Sequence, residues 1–150
     1  MCALRAYVRH RATLLEYRAA HIQHMQKALQ QMHVQLTQVL SDITGTTGLK
    51  ILRAIVAGER DPVRLARFRD PRCQSSTEEI AQAVTGHYRP EPVFALQQAL
   101  ALYDAYTAQV RECAAESERQ VAAIKPGWPD APAPLDREAK RDSHSKHAPT

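Results

Sequence analysis

Aromatic side chains are scarce in this chain: Phe, Trp and Tyr together make up 5% of 150 residues. A core built on large rings is therefore excluded, and helices packed through aliphatic side chains are the alternative. Cysteine is also rare, with Cys2, Cys73 and Cys113 far apart and no CxxC pair. That pattern suggests neither a disulfide framework nor a zinc site, and it fits a reducing cytoplasm. No stretch approaches the ~20 consecutive apolar residues that a membrane-spanning helix needs. No apolar run follows the first charges, so no signal peptide is expected. Neither glycine nor proline occurs before Gly45, and all nine prolines fall at Pro62 or later. Nothing in the first forty-odd residues is thus chemically bound to break a helix.

That glycine-free stretch carries an apolar position every three or four residues. Val8, Leu15, Ile22, Leu29, Leu36 and Ile43 fall seven apart, and Leu4, Met25, Met32 and Val39 fill the other half of the repeat. Arg11 and Arg18 hold its two remaining slots. A seam recurring every 3.5 residues is the mark of a helix that packs along a partner helix. At about 1.5 Å per residue, a helix over 1–43 is a rod of roughly 60 Å. It cannot bury its seam alone.

Thr-Gly-Thr-Thr-Gly at 44–48 ends this rod and begins a region of short helices over 44–90. One is expected from Leu49 to Ala57, with Thr47 as its cap and Gly58 as its stop. Asp61-Pro62 starts another, which runs to Arg69, Asp serving as N-cap and Pro as first helical residue. Ser76 and Glu79 have the spacing of a capping box and open a third, ending near Gly86. Pro90-Glu91-Pro92 begins the second long helix, 91–125, with a seam of Val93, Leu96, Leu100, Tyr103, Thr107, Val110, Ala114, Ser117, Val121 and Ile124. Residues 126–150 are rich in Pro, Ala, Ser, Lys and Asp and read as a disordered linker or tail.

The resulting expectation is an all-α chain: a long antiparallel coiled-coil hairpin with a small helical head at its tip and a disordered tail. With Ile43 beside Val93, Arg18 would face Glu118. An arginine in a heptad seam is costly unless it is paired or reaches solvent. Arg11 and Arg18 are accordingly candidates for setting register or partner.

No self-contained catalytic motif is present: no P-loop, no GxGxxG and no carboxylate pair spaced for two metals. His21 and His24 share a helix face but lack a third ligand, so solvent-facing histidines are the simpler interpretation and no metal is expected. One constellation stands out. Residues 50–72 hold seven basic side chains against three acids: Lys50, Arg53, Arg60, Arg64, Arg67, Arg69 and Arg72. They could hold phosphates through bidentate, salt-sensitive contacts. Equally, they could be solvated helix faces paired with Glu59, Asp61 and Asp70. No aromatic platform for base stacking is apparent among them.

Several words of the sequence, in order, resemble one transposase family. They are residues 21–29 (HIQHMQKAL), 41–45 (SDITG), 57–62 (AGERDP), 69–72 (RDPR) and 94–104 (FALQQALALYD). The family is the DEDD insertion-sequence transposases of the IS "one-ten" class, relatives of the Piv-type DNA invertases. The likeness spans about residues 3–125, and the tail resembles the variable linker that follows in those proteins. Members place a RuvC-like domain with acidic metal-binding residues before a coiled coil, and a domain with a catalytic serine after it. The full enzymes are recombinases that use a structured RNA to choose DNA sites.

The resemblance implies an internal fragment of such a transposase, without either catalytic domain and inactive alone. A helix that begins uncapped at Met1-Cys2 agrees with that. It implies assembly of protomers through the coiled coil, contact with DNA or structured RNA, and neither small-molecule substrate nor membrane. Divalent metal would belong to the RuvC-like part, so no cofactor is expected in this chain. The alternative is a stand-alone coiled-coil protein that binds nucleic acid, regulates a partner or serves as an oligomerisation rod.

Overall fold

A computed structural model describes residues 2–124. The expected tail, 126–150, lies outside the described residues. Six helices and no strand occur among the described residues: α1 (Cys2–Gln31), α2 (Leu36–Val39), α3 (Thr46–Ala57), α4 (Pro62–Ala66), α5 (Thr77–Ala83) and α6 (Pro90–Ile124). The all-α hairpin is thus observed, with α1 and α6 packed antiparallel along each other. None of these helices is long and apolar enough to cross a membrane.

The first helix is shorter than its periodicity predicts, ending at Gln31 and not at Ile43. The stop is made by hydrogen bonding. His33 N–H donates to Gln30 O (3.0 Å) and Val34 N–H to Leu29 O (2.9 Å), while His33 takes φ 56°. This pair of bonds around a left-handed residue is a Schellman motif, which normally uses glycine at the turning position. Leu29 and Val34, the two residues whose side chains such a turn brings together, are both in the buried core. Because the turn uses histidine, nothing in the local composition announces it. Packing decides it: Met32, Val34 and Leu36 are all buried once the chain bends.

The chain returns to the same point after the head. His87 N–H donates to Met32 O (2.7 Å), Gln35 N–H to Ala83 O (2.9 Å), and the Arg89 guanidinium to Gln31 O (2.8 Å). Pro90 therefore begins α6 beside the end of α1. This sets the hairpin register. Arg18 meets Tyr103 and Thr107, and not Glu118, about three helical turns further on. Ile43 lies beyond the end of α1 and joins the core of the head instead of continuing the helical seam opposite α6.

The head core is continuous with the closed end of the hairpin. Met25, Leu29, Met32 and Leu96 are fully buried, together with Ile51, Leu52, Ile55, Leu65, Ile80 and Val84 from the short helices. Each such side chain contributes about 1.5–3 kcal/mol through the water it leaves. The seam of α6 is observed as expected at Leu96, Leu100, Tyr103 and Val110, all buried. On α1, Leu14 is buried in place of Val8, which is 55% exposed. Toward the open end little is covered, and Val8, Val121 and Ile124 stay exposed.

Local signals of the head are mostly as read. Asp61 Oδ1 accepts from Val63 N–H (3.0 Å), with Pro62 as first helical residue. Ser76 and Glu79 complete both bonds of a capping box. Gly58 (φ 110°) ends α3 with the same hydrogen-bond pattern that His33 uses, Gly58 N–H to Ile55 O and Glu59 N–H to Ala54 O. Thr47 is not the cap of α3. Gly45 takes that position, and the buried Thr47 hydroxyl instead accepts from Asp70 N–H (3.0 Å). α4 is also shorter than expected, stopping at Ala66.

The two ways of ending α1 differ in the sign of one substitution. If His33 sits in the left-handed turn, His33→Gly relieves strain and should raise stability by up to about 1 kcal/mol in urea unfolding. In an unbroken helix through residue 33 the same change would cost about 1 kcal/mol. A destabilised His33→Gly variant would overturn the bend.

Candidate nucleic-acid interface

The seven basic residues of 50–72 divide into two groups once folded. Three are engaged internally. Arg53 on α3 makes a two-pronged ion pair with Asp104 on α6, Nη1 to Oδ2 at 2.7 Å and Nη2 to Oδ1 at 2.8 Å. Arg60 donates to Ile55 O (2.6 Å) and Glu59 O (2.9 Å), and its guanidinium lies 4.8 Å from the centre of the Tyr88 ring. Arg69 donates to the carbonyls of Cys73 and Ser75, closing the loop between α4 and α5. These three hold the head together: Arg53 ties α3 to the hairpin, Arg60 bridges a carbonyl near the end of α3 and one just beyond it, and Arg69 staples a loop.

The other four are exposed. Lys50 and Arg67 point to solvent, as does Arg72 beside the start of α3. Arg64 is 65% exposed and stands 3.8 Å from both Glu59 and Asp61, too far for a hydrogen bond. At that distance and exposure such pairs contribute little to stability, so the Arg64 donors remain available.

Arg64 and Arg67 line a groove of about 740 Å³ at the corner between α3 and α4, whose other walls are Ala54, Ala57, Gly58, Glu59 and Phe68. Phe68 is 39% exposed there. An aromatic ring does accompany the basic residues, contrary to the expectation from sequence. Phe68 takes this exposed position in the turn that follows the end of α4 at Ala66.

Elsewhere the structure places the remaining candidates. Arg11 is exposed. Arg18 is half-buried in the seam, donating to the Thr107 hydroxyl (3.3 Å) with its guanidinium 5.3 Å from the Tyr103 ring centre. A hydroxyl and a ring face let the charge stay in the seam without a carboxylate. His21 is not solvent-facing: its ring stacks on Tyr106 at 5.3 Å and its Nδ1 is buried without a hydrogen-bond partner. His24 meets it edge-on at 5.5 Å. No group of three metal-ligating side chains occurs among the described residues.

Asp104 on α6 and Tyr88 in the head both depart from their ordinary values. The hydrogen bonds from Arg53 hold the Asp104 carboxyl below its usual range, against a smaller opposing effect of burial. Burial pushes the Tyr88 phenol up, with Arg60 pulling the other way, and the Tyr88 hydroxyl donates to Val84 O (2.6 Å).

No protein family, curated protein or solved structure matches the chain.

The Arg53–Asp104 pair has a defined pH signature. A carboxyl whose pKa is depressed by folding stabilises the fold above its unfolded value, and the benefit fades as pH falls through the folded value. Asp104→Asn should therefore cost about 1 kcal/mol or less near pH 7, a surface-pair magnitude set by the half-exposure of both partners. The gap between wild type and variant in urea unfolding should narrow as pH falls below the unfolded Asp value of about 3.9. A gap that stays constant from pH 7 to 2.5 would show that the pair does not form.

Proposed function

We propose that this chain is the coiled-coil segment of a DEDD-type insertion-sequence transposase. In this reading it serves as an assembly rod whose head contacts nucleic-acid phosphates, while strand chemistry belongs to other domains of the parent recombinase. The observation that carries the nucleic-acid part is the division of the basic cluster. Arg53, Arg60 and Arg69 are engaged internally by a carboxylate or by carbonyls. Lys50, Arg64, Arg67 and Arg72 are not, and uncommitted surface cations are what phosphate contacts require.

The resemblance supports the same regions. The word at 57–62 builds the corner between α3 and α4, and the word at 69–72 builds the loop that follows. Association of copies is supported at the open end of the hairpin, where Val8, Val121 and Ile124 leave apolar surface exposed. DNA and structured RNA are the partners proposed, and the cytoplasm the place.

Fluorescence anisotropy with a labelled duplex, across 50 to 200 mM salt, tests the proposal. Affinity should fall steeply with salt, with a log–log slope of about −0.9 for each phosphate contacted. Arg64→Glu with Arg67→Glu should weaken binding at least tenfold and flatten the slope by about two. Arg53→Ala, which removes an internally paired cation, should leave the slope unchanged. Salt-independent binding, or none, would overturn the proposal, as would equal slopes for wild type and the double variant.

A further inference from the structure

The groove at the corner between α3 and α4 combines four features that separate it from a plain basic surface. Its ring, Phe68, is an exposed aromatic in a chain where aromatics are rare. Its cations, Arg64 and Arg67, line the same groove as that ring. The floor is made of Ala54, Ala57 and Gly58, and a Cβ placed at Gly58 would meet nothing within 4 Å. A flat object can therefore approach the backbone there. Finally, Glu59 is a held acceptor. Its Oε1 takes the backbone N–H groups of Arg60 (3.1 Å) and Asp61 (3.0 Å), which immobilises the carboxylate at the groove wall.

We infer that this groove binds one unpaired nucleotide, with the base stacked on Phe68, the phosphate held by Arg64 and Arg67, and Glu59 accepting from an exocyclic amine of the base. The inference rests on the nucleic-acid reading above and narrows it from phosphate contact to recognition of a single-stranded position. The volume of about 740 Å³ falls within the range of small-ligand clefts. Among the described residues Arg67 has no carboxylate beside it, and Arg64 makes only loose 3.8 Å contacts to Glu59 and Asp61, so both guanidinium groups can reach a phosphate. The Arg64–Glu59 separation of 3.8 Å leaves the guanidinium able to turn toward a phosphate, with which it can pair bidentately. A ring on such a surface accepts any base, since every base has a flat face. Glu59 adds a preference for bases that carry an amine, as a carboxylate does toward cytosine. In a duplex the base faces are stacked and unavailable, so a groove of this kind discriminates by strandedness. RNA and DNA present the same base and phosphate, and the inference covers both.

The full chain is titrated with a labelled 12-nucleotide single strand, made once as RNA and once as DNA, and with the matching duplexes. The single strands carry 2-aminopurine at one position, whose fluorescence is quenched when the base stacks. Wild type should bind at least one single strand about tenfold tighter than its duplex and quench the probe. Phe68→Leu, which keeps apolar bulk but removes the ring, should lose at least fivefold on the single strand, the lower end expected for one stacked base, and abolish quenching. Its duplex affinity should be unchanged. Phe68→Tyr should retain wild-type behaviour on both. A single-strand loss confined to RNA assigns the groove to RNA; a loss on both assigns it to either strand.

The groove assignment fails if Phe68→Leu binds single strands as wild type does, if it loses equally on strand and duplex, or if wild type never quenches the probe. Duplex binding that survives these failures leaves the phosphate-contact reading standing. Binding of neither strand nor duplex by wild type overturns both.

Discussion

The left-handed turn at His33 is the constraint on which the rest of the structure depends. By ending α1 at Gln31 it fixes where α6 must begin, because residues 87 and 89 hydrogen-bond back to Met32 and Gln31. The register of the hairpin follows from that single closure. Tyr17 and His21 then lie against Tyr106, and Arg18 lies between Thr107 and the Tyr103 ring. The turn also delivers Val34, Leu36, Leu40 and Ile43 into the head core instead of extending the rod. One backbone residue in an uncommon conformation thus converts a continuous heptad into a hairpin with a packed head.

The head does more than close the tip. α3 packs back along α6, tied there by Arg53 and Asp104, and so braces the middle of the second long helix. This arrangement concentrates covered apolar surface at one end of the molecule. The other end, where Leu4 and Val8 meet Ser117, Val121 and Ala122, keeps a shallow apolar groove. Covered core and exposed apolar surface are therefore spatially separated: core at the closed end, seam at the open one. Substitutions at two ends this far apart should act independently.

The basic segment shows why charge counts alone do not define an interface. Its arginines differ little in sequence, yet Arg69 staples a loop while Arg67, two residues earlier, faces solvent. An arginine becomes structural when carbonyls or a carboxylate lie within reach of its five donors, and that depends on where distant segments fold. Asp104 is 51 residues from Arg53 in the chain, and no local pattern joins them. The aromatic element was equally hidden. Phe68 becomes part of a surface groove only because α4 stops at Ala66 and the chain turns behind it.

The sequence by itself determined the helical class, the two long helices and their antiparallel relation, the Asp61-Pro62 start, the Ser76/Glu79 capping box and the Gly58 stop. Each of these is written in a local code: a 3.5-residue period, a side-chain oxygen that caps free N–H groups, a residue without Cβ where φ is positive. Only the tertiary structure decided the end of α1, the register and the fate of each arginine. The two helix ends at Gly58 and His33 make the reason plain. Both use the same hydrogen-bond pattern, but glycine adopts it without strain and so signals it in advance. Histidine adopts it at a cost that is offset by burying Met32, Val34 and Leu36, and that compensation exists only when the remote residues are in place.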